Sequence, residues 1–152
     1  MSAEENIQGI GILHTTSALK KYSLKRYLPC EQLKPFIQRY WIVHWDLTGE
    51  PPYEQHLIPH PCVNLVFEKG KSKIWGISKG RTTRLIEGKG TVFGVKFRPG
   101  GFYPFWNAPV SELTGSSINI ENVFGEALVK LEDRLLSDAA DAEKVKLAES
   151  FF

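Results

Sequence analysis

Thr91-Val-Phe-Gly-Val-Lys-Phe-Arg-Pro-Gly-Gly-Phe-Tyr-Pro-Phe105 divides this chain into a strand-forming part and a helix-forming part. Its first half alternates. Thr91, Phe93, Val95 and Phe97 fall on one side, and Val92, Gly94, Lys96 and Arg98 on the other. That period of two predicts a strand with one buried face. Pro99 cannot donate to a ladder, and Gly100 and Gly101 permit positive φ, so the chain turns sharply after Arg98. The aromatic run Phe102 to Trp106 is too apolar for a solvated loop and is expected to pack back on the sheet.

Working back from this stretch, turn residues punctuate short alternating runs. Residues 37–47 form the cleanest strand, with Ile37, Trp41, Val43, Trp45 and Leu47 assigned to one face and Arg39 as the intruder among them. Residues 53–58 and 62–68 alternate again, the second with Val63, Leu65 and Phe67 opposed to Asn64, Val66 and Glu68. Lys69-Gly-Lys-Ser72 reads as a hairpin turn, 74–77 as its return strand, and 82–86 as a further strand before the turn Glu87-Gly-Lys-Gly90. Five or six strands at a spacing of about ten residues suggest a meander in a small sandwich or barrel. Residues 29–36 read as one helical turn, and the basic run 20–26 as a solvated strand face. Residues 1–21 show no period and are expected to be a loose arm, with an edge strand around residues 10–13.

Working forward, 109–113 suits one helical turn. Phe124, Leu128, Leu131 and Leu135 recur at helical spacing, so 120–136 is expected to be one amphipathic helix, capped by Asn119. Asp141 suits the cap of a last helix carrying Val145, Ala148 and Phe152 on one stripe. A chain ending on Phe151-Phe152 suggests a domain cut from a longer protein, or a helix that docks on a neighbour.

Composition narrows the function. The 152 residues fit one domain, and 42% hydrophobic with 24% charged residues is ordinary for a soluble globular protein. A net charge of +2 does not by itself indicate nucleic acid. Cys30 and Cys62 are too few and too far apart for a disulfide framework, which suits the cytoplasm. No run approaches the ~20 apolar residues of a membrane span, and no secretory signal pattern opens the chain.

No catalytic or metal motif emerges. His56 and His60 have the i, i+4 spacing of helical metal ligands, but Pro59 and Pro61 exclude a helix there. No His-x-His pair exists for a barrel-type metal site, and no glycine-flanked serine opens a helix as a nucleophile elbow. Cys62 near His60 is a weaker alternative as a thiolate pair. No metal, cofactor or catalytic residue is therefore expected. Trp41, Trp45, Phe67, Phe93 and Phe97 are assigned inward, either as plain core or as the lining of an apolar pocket. In the second case Trp41, Trp45, His56, His60, Asn64 and Arg98 are the candidate ligand contacts.

Tyr27-Leu-Pro29, Leu33, Phe36-Ile37, Tyr40-Trp41, Ile58-Pro-His-Pro61, Asn64-Leu-Val-Phe67, Gly76 and above all Gly94-Val-Lys-Phe-Arg-Pro-Gly-Gly101 resemble the N-terminal domain of one branch of AraC-type bacterial transcription regulators. Pro109, Leu113, Ile120 and Val123-Phe-Gly125 continue the likeness. The resemblance implies an α+β fold, a small cupin-like antiparallel β-barrel or sandwich over residues 22–118 followed by C-terminal helices over 119–152. It implies a non-enzymatic regulatory domain that senses a small-molecule effector, dimerises through its C-terminal helices, or both. DNA would be reached only through helix-turn-helix units, which this chain lacks. After Ser111 nine acidic residues stand against four basic ones, a surplus that repels phosphate. The alternatives left open are an interaction module without a ligand, a stand-alone cupin-like binding protein and a barrel-fold enzyme.

Overall fold

A computed structural model of the chain describes residues 21–152. The expected arm, apart from Lys21, and its edge strand lie outside the described residues. Among these, strands β1 (Tyr22–Tyr27), β2 (Ile37–Asp46), β3 (Tyr53–Leu57), β4 (Asn64–Phe67), β5 (Lys73–Trp75), β6 (Thr82–Ile86), β7 (Lys89–Phe97) and β8 (Ser117–Ile118) alternate with turns. Helices follow as α1 (Tyr103–Trp106), a 3-10 turn (Val110–Leu113), α2 (Glu121–Phe124), α3 (Glu126–Val129), α4 (Glu132–Leu135) and α5 (Asp141–Phe151).

All pairings are antiparallel, and they form two sheets. One has six strands in the order β1-β2-β7-β4-β5-β8, and the other is the pair β3-β6. The order is not that of a meander. β7 lies between β2 and β4, the position its composition suits: Phe93, Val95 and Phe97 fill one face, while Gly90, Val92 and Gly94 leave room on the other. The 87–90 turn thus leads the chain from the small sheet into the large one, with Gly88 at φ 61°. The Lys69–Ser72 turn does close the β4–β5 hairpin, Gly70 taking φ 74°.

The two sheets do not close into a barrel among the described residues: β1 pairs with β2 alone, and β8 with β5 alone. What stands is a mixed fold of antiparallel sheets with C-terminal helices.

The helices cover one face of the large sheet. Tyr40, Ile42, Leu65, Phe67, Phe93, Val95 and Phe97 join Leu113, Ile120, Leu128, Leu135, Val145 and Ala148 in one buried cluster. Phe97 meets Phe102 at 5.0 Å and Phe152 at 6.2 Å between ring centroids, and Phe152 lies 5.6 Å from Phe124. The terminal phenylalanines are therefore part of this chain's own core margin. The Val145–Ala148–Phe152 stripe is covered from within and does not itself require a second copy.

Two expectations are corrected here. Residues 120–136 form three single turns rather than one helix: Gly125, at φ 72°, breaks the ladder between α2 and α3, while Lys130 and Leu131 between α3 and α4 keep right-handed backbone. Neither Asn119 nor Asp141 supplies a side-chain cap. The second correction concerns β2. Its register against β7 shifts between Ile37 and Arg39, so Ile37 opposes Phe97 while Arg39 opposes Lys96. This bulge leaves Ile37 in the core with Tyr40 and Ile42, and places Arg39, Trp41, Val43 and Trp45 on the opposite face. Trp41 and Trp45 therefore do not line the phenylalanine core. Arg39 was not an intruder on its face but a mark of that face's character.

Candidate functional site

The second face of the large sheet has two halves of different chemistry. At one end the register brings Tyr22 opposite Trp45 and Leu24 opposite Val43. Together with Leu47, Tyr53 and Ile86 they form a small apolar cluster under the β3–β6 sheet. Tyr22 donates its phenol hydrogen to Gln55 Oε1 at 2.5 Å, fixing the small sheet to the large one. Trp45 donates its indole N–H to the Glu87 carbonyl at 3.0 Å, and the Arg84 guanidinium lies 5.7 Å above its ring. Arg84 also pairs with Glu68 at 2.9 Å.

The other half is cationic. Arg26 of β1 opposes Trp41 of β2, Arg39 of β2 opposes Lys96 of β7, and Lys96 in turn opposes Asn64 of β4. Arg26 and Arg39 are buried, Arg39 to 7% exposure, while Lys96 and Trp41 are half-buried. Trp41 is seated on Gly94: a Cβ there would lie 1.9 Å from the indole, so only glycine lets the ring lie against the strand. Its indole N–H is held by Asn64 Oδ1 at 3.3 Å. Gly90 seats Trp45 in the same way, with 2.3 Å for the equivalent approach.

Electrostatics bind this half together. Burial pushes the Lys96 pKa down, a nearby Cys62 thiolate would raise it, and Arg39 and Arg26 lower it further. The His60 imidazole is pushed below its ordinary value by burial, then by Lys96 and Arg39. Burial pushes the Cys62 thiol up, against the opposing pull of Lys96 and Arg39. Its Sγ lies 4.0 Å from Gln38 Oε1.

Of the residues singled out in the sequence, Trp41, Asn64 and His60 converge on the cationic half. Trp45 shares the face but sits at its apolar end. His56 lies on β3, its Nδ1 3.3 Å from Thr83 Oγ1. Arg98 is exposed at the end of β7, where its Nε–H donates to the Lys34 carbonyl and its backbone N–H to the Phe36 carbonyl at 2.8 Å. It ties the strand end to the turn before β2, away from the other candidates. Arg26, Arg39 and Lys96 were not among the candidate ligand contacts, although Arg39 stood out on its strand. Their signal was a charge at an alternate position of an otherwise apolar strand, legible in Arg39 and Lys96 once the face was assigned correctly.

Behind this half, on the helical side, the same strands hold α5. Tyr27, adjacent to Arg26, donates its phenol hydrogen to Asp141 Oδ2 at 2.7 Å. His44 Nε2 lies 3.4 Å from Asp141 Oδ1, and its Nδ1 3.0 Å from Thr91 Oγ1. The Cys30 backbone N–H donates to Glu149 Oε1 at 2.7 Å. Elsewhere, a cleft of about 260 Å³ opens between the β4–β5 turn and the helices, lined by Phe67, Lys71, Asn119 and Glu132 among others, and a Ser72–Glu132 hydrogen bond crosses it. Among the described residues, no three His, Cys, Asp or Glu side chains gather as metal donors. No helix there is long and apolar enough to cross a membrane.

Residues 25–119 match the model of a family described as a domain of unknown function, DUF6597. No curated protein and no solved structure matches the chain.

Proposed function

We propose that this chain, which belongs to the DUF6597 family, is the regulatory domain of an AraC-type bacterial transcription regulator: a cytoplasmic, non-enzymatic sensor of a small effector with a cupin-like ancestry. One observation carries the reading. Neighbouring residues of β1 serve opposite faces, Arg26 beside Trp41 on the cationic face and Tyr27 on Asp141 of α5. A molecule drawn to the first face therefore acts on the strand that holds the last helix. An effector transmits only if it binds two arrangements of that helix unequally, and a shared strand supplies such a difference. The resemblance adds a homodimer and access to DNA only through a separate helix-turn-helix part.

The test is a thermal-shift screen of small metabolites, followed by hydrogen exchange on the complex. A bound effector is expected to change exchange over residues 141–151 as well as at the site, and to be recovered unaltered. Recovery of a transformed product, or binding that leaves 141–151 unchanged, overturns the sensor reading.

A further inference from the structure

We infer that the cleft between the β4–β5 turn and the helices binds a small zwitterion, an ω-amino acid whose ammonium and carboxylate are separated by a short apolar chain. This goes beyond the sensor reading, which concerns the other face of the sheet, and does not rest on it. The cleft holds about 260 Å³, near the lower end of small-molecule pockets, so it suits a ligand of that size. Its two sides carry opposite charge. The register puts Lys73 opposite Val66 on the second face, so Lys71 at the turn is the cation that the hairpin brings to the cleft. The helical side brings two carboxylates, Glu121 of α2 and Glu132 of α4. Phe67 and Ile120, both buried, supply its apolar lining.

One of the carboxylates is already oriented. Ser72 Oγ accepts the Glu68 backbone N–H at 3.0 Å and donates to Glu132 Oε1, so a serine fixed to the strand positions the acid. A carboxylate can accept about four hydrogen bonds, and the serine supplies one of them. The two signs line the cleft without meeting: the ion pairs among the described residues lie elsewhere. A simple carboxylate would be drawn by Lys71 and repelled by two glutamates. A simple amine would be drawn by the glutamates and repelled by Lys71. A neutral apolar molecule would leave all three charges unmet. An α-amino acid carries both charges on one carbon and cannot send one to each side. An ω-amino acid sends its carboxylate to the hairpin and its ammonium to the helical side, with its methylenes on Phe67 and Ile120.

The experiment titrates the full chain with 4-aminobutanoate and 6-aminohexanoate, followed by the NMR shifts of its backbone amides. Hexanoate, hexylamine and glycine are the controls: the chain with either charge alone, and both charges without the chain. At least one ω-amino acid is expected to saturate, to move the amides of residues 70–73 and 119–121 most, and to weaken as salt is raised. It is expected to bind about fivefold or more tighter than each control, the range that one partly exposed ion pair supplies. Lys71→Met and Glu132→Gln are each expected to weaken it by a similar factor, about fivefold. Lys71 is exposed at the turn, so its variant is expected to melt as wild type and decides the matter if Glu132→Gln does not fold. The proposal is overturned if neither ω-amino acid saturates or if a control binds as tightly. It is overturned equally if the shifts centre elsewhere, or if Lys71→Met or a folded Glu132→Gln binds like wild type.

Discussion

Gly94 shows how one missing atom organises its surroundings. Alanine at this position would place Cβ 1.9 Å from the fused ring of Trp41, which cannot yield as a flexible tip would. Gly94→Ala is expected to destabilise by about 1–3 kcal/mol and to shift tryptophan emission, both measurable in one denaturant titration. Arg98→Lys keeps the charge but loses the Nε–H that meets the Lys34 carbonyl. Because the residue is exposed, the expected loss is only about 1 kcal/mol, read as a small fall in melting temperature. Lys144 presents the opposite case. It is 1% exposed, and its Nζ has no hydrogen-bond partner among the described residues. Burial lowers its pKa, against Asp141 and Asp138, which raise it. Lys144→Met is expected to stabilise by about 1–2 kcal/mol, the cost of an unsatisfied buried donor; a lower melting temperature would show that the ammonium is needed. Of these residues the sequence made Arg98 conspicuous through its proline turn. It said nothing of Lys144, which sits among helix-favouring neighbours and looks like any surface lysine.

At the scale of elements, period was legible and continuity was not. The strands Ile37–Asp46, Asn64–Phe67 and Lys89–Phe97 lie where alternation put them, since period two follows directly from the pleat. The helical spacing of Phe124, Leu128, Leu131 and Leu135 correctly marked an inward face, yet it does not reveal whether the turns between are joined, and between Phe124 and Leu128 Gly125 decides that. α5 is the element whose docking is best defined. Tyr27→Phe removes a hydrogen bond to the Asp141 carboxylate, for an expected loss of about 1.5–3 kcal/mol, with faster hydrogen exchange over residues 141–151 before the rest of the chain. Uniform acceleration across the chain would mean the bond does not serve that helix in particular. The cationic site was only half legible for a related reason. Its members come from β1, β2, β4 and β7, and strand order brings them together where sequence order does not.

For the whole molecule, acid and alkaline limits come from different ends of one face. His60 has its pKa lowered, so it contributes stability that is present above pH 6.5 and lost as pH falls through the lower folded value. Chemical denaturation of His60→Asn is expected to show a shallower loss on the acid side than wild type. Burial, with Tyr53 next, pushes the Tyr22 phenol up to about 12. It therefore contributes stability that is intact below pH 10 and lost as pH rises towards 12. Strand content and the division into a sheet part and a helical part were readable because both follow from local patterning. The open sheet and its crossing into β3–β6 were not, because those pairings join residues far apart in the chain.

The bulge in β2 has a consequence for how this sequence can change over generations. Gln38 is the extra residue, so deleting it alone would leave Ile37 opposite Phe97 and Arg39 opposite Lys96 in regular pairing, with every side chain on its present face. Removing a single residue from 40–45 would instead exchange the faces of all residues on one side of the cut. One deletion, at the bulge, is thus open to this strand, and elsewhere along it change must come by substitution. Descendants of this chain should accordingly place any single-residue gap in this strand at residue 38, however far their side chains have drifted.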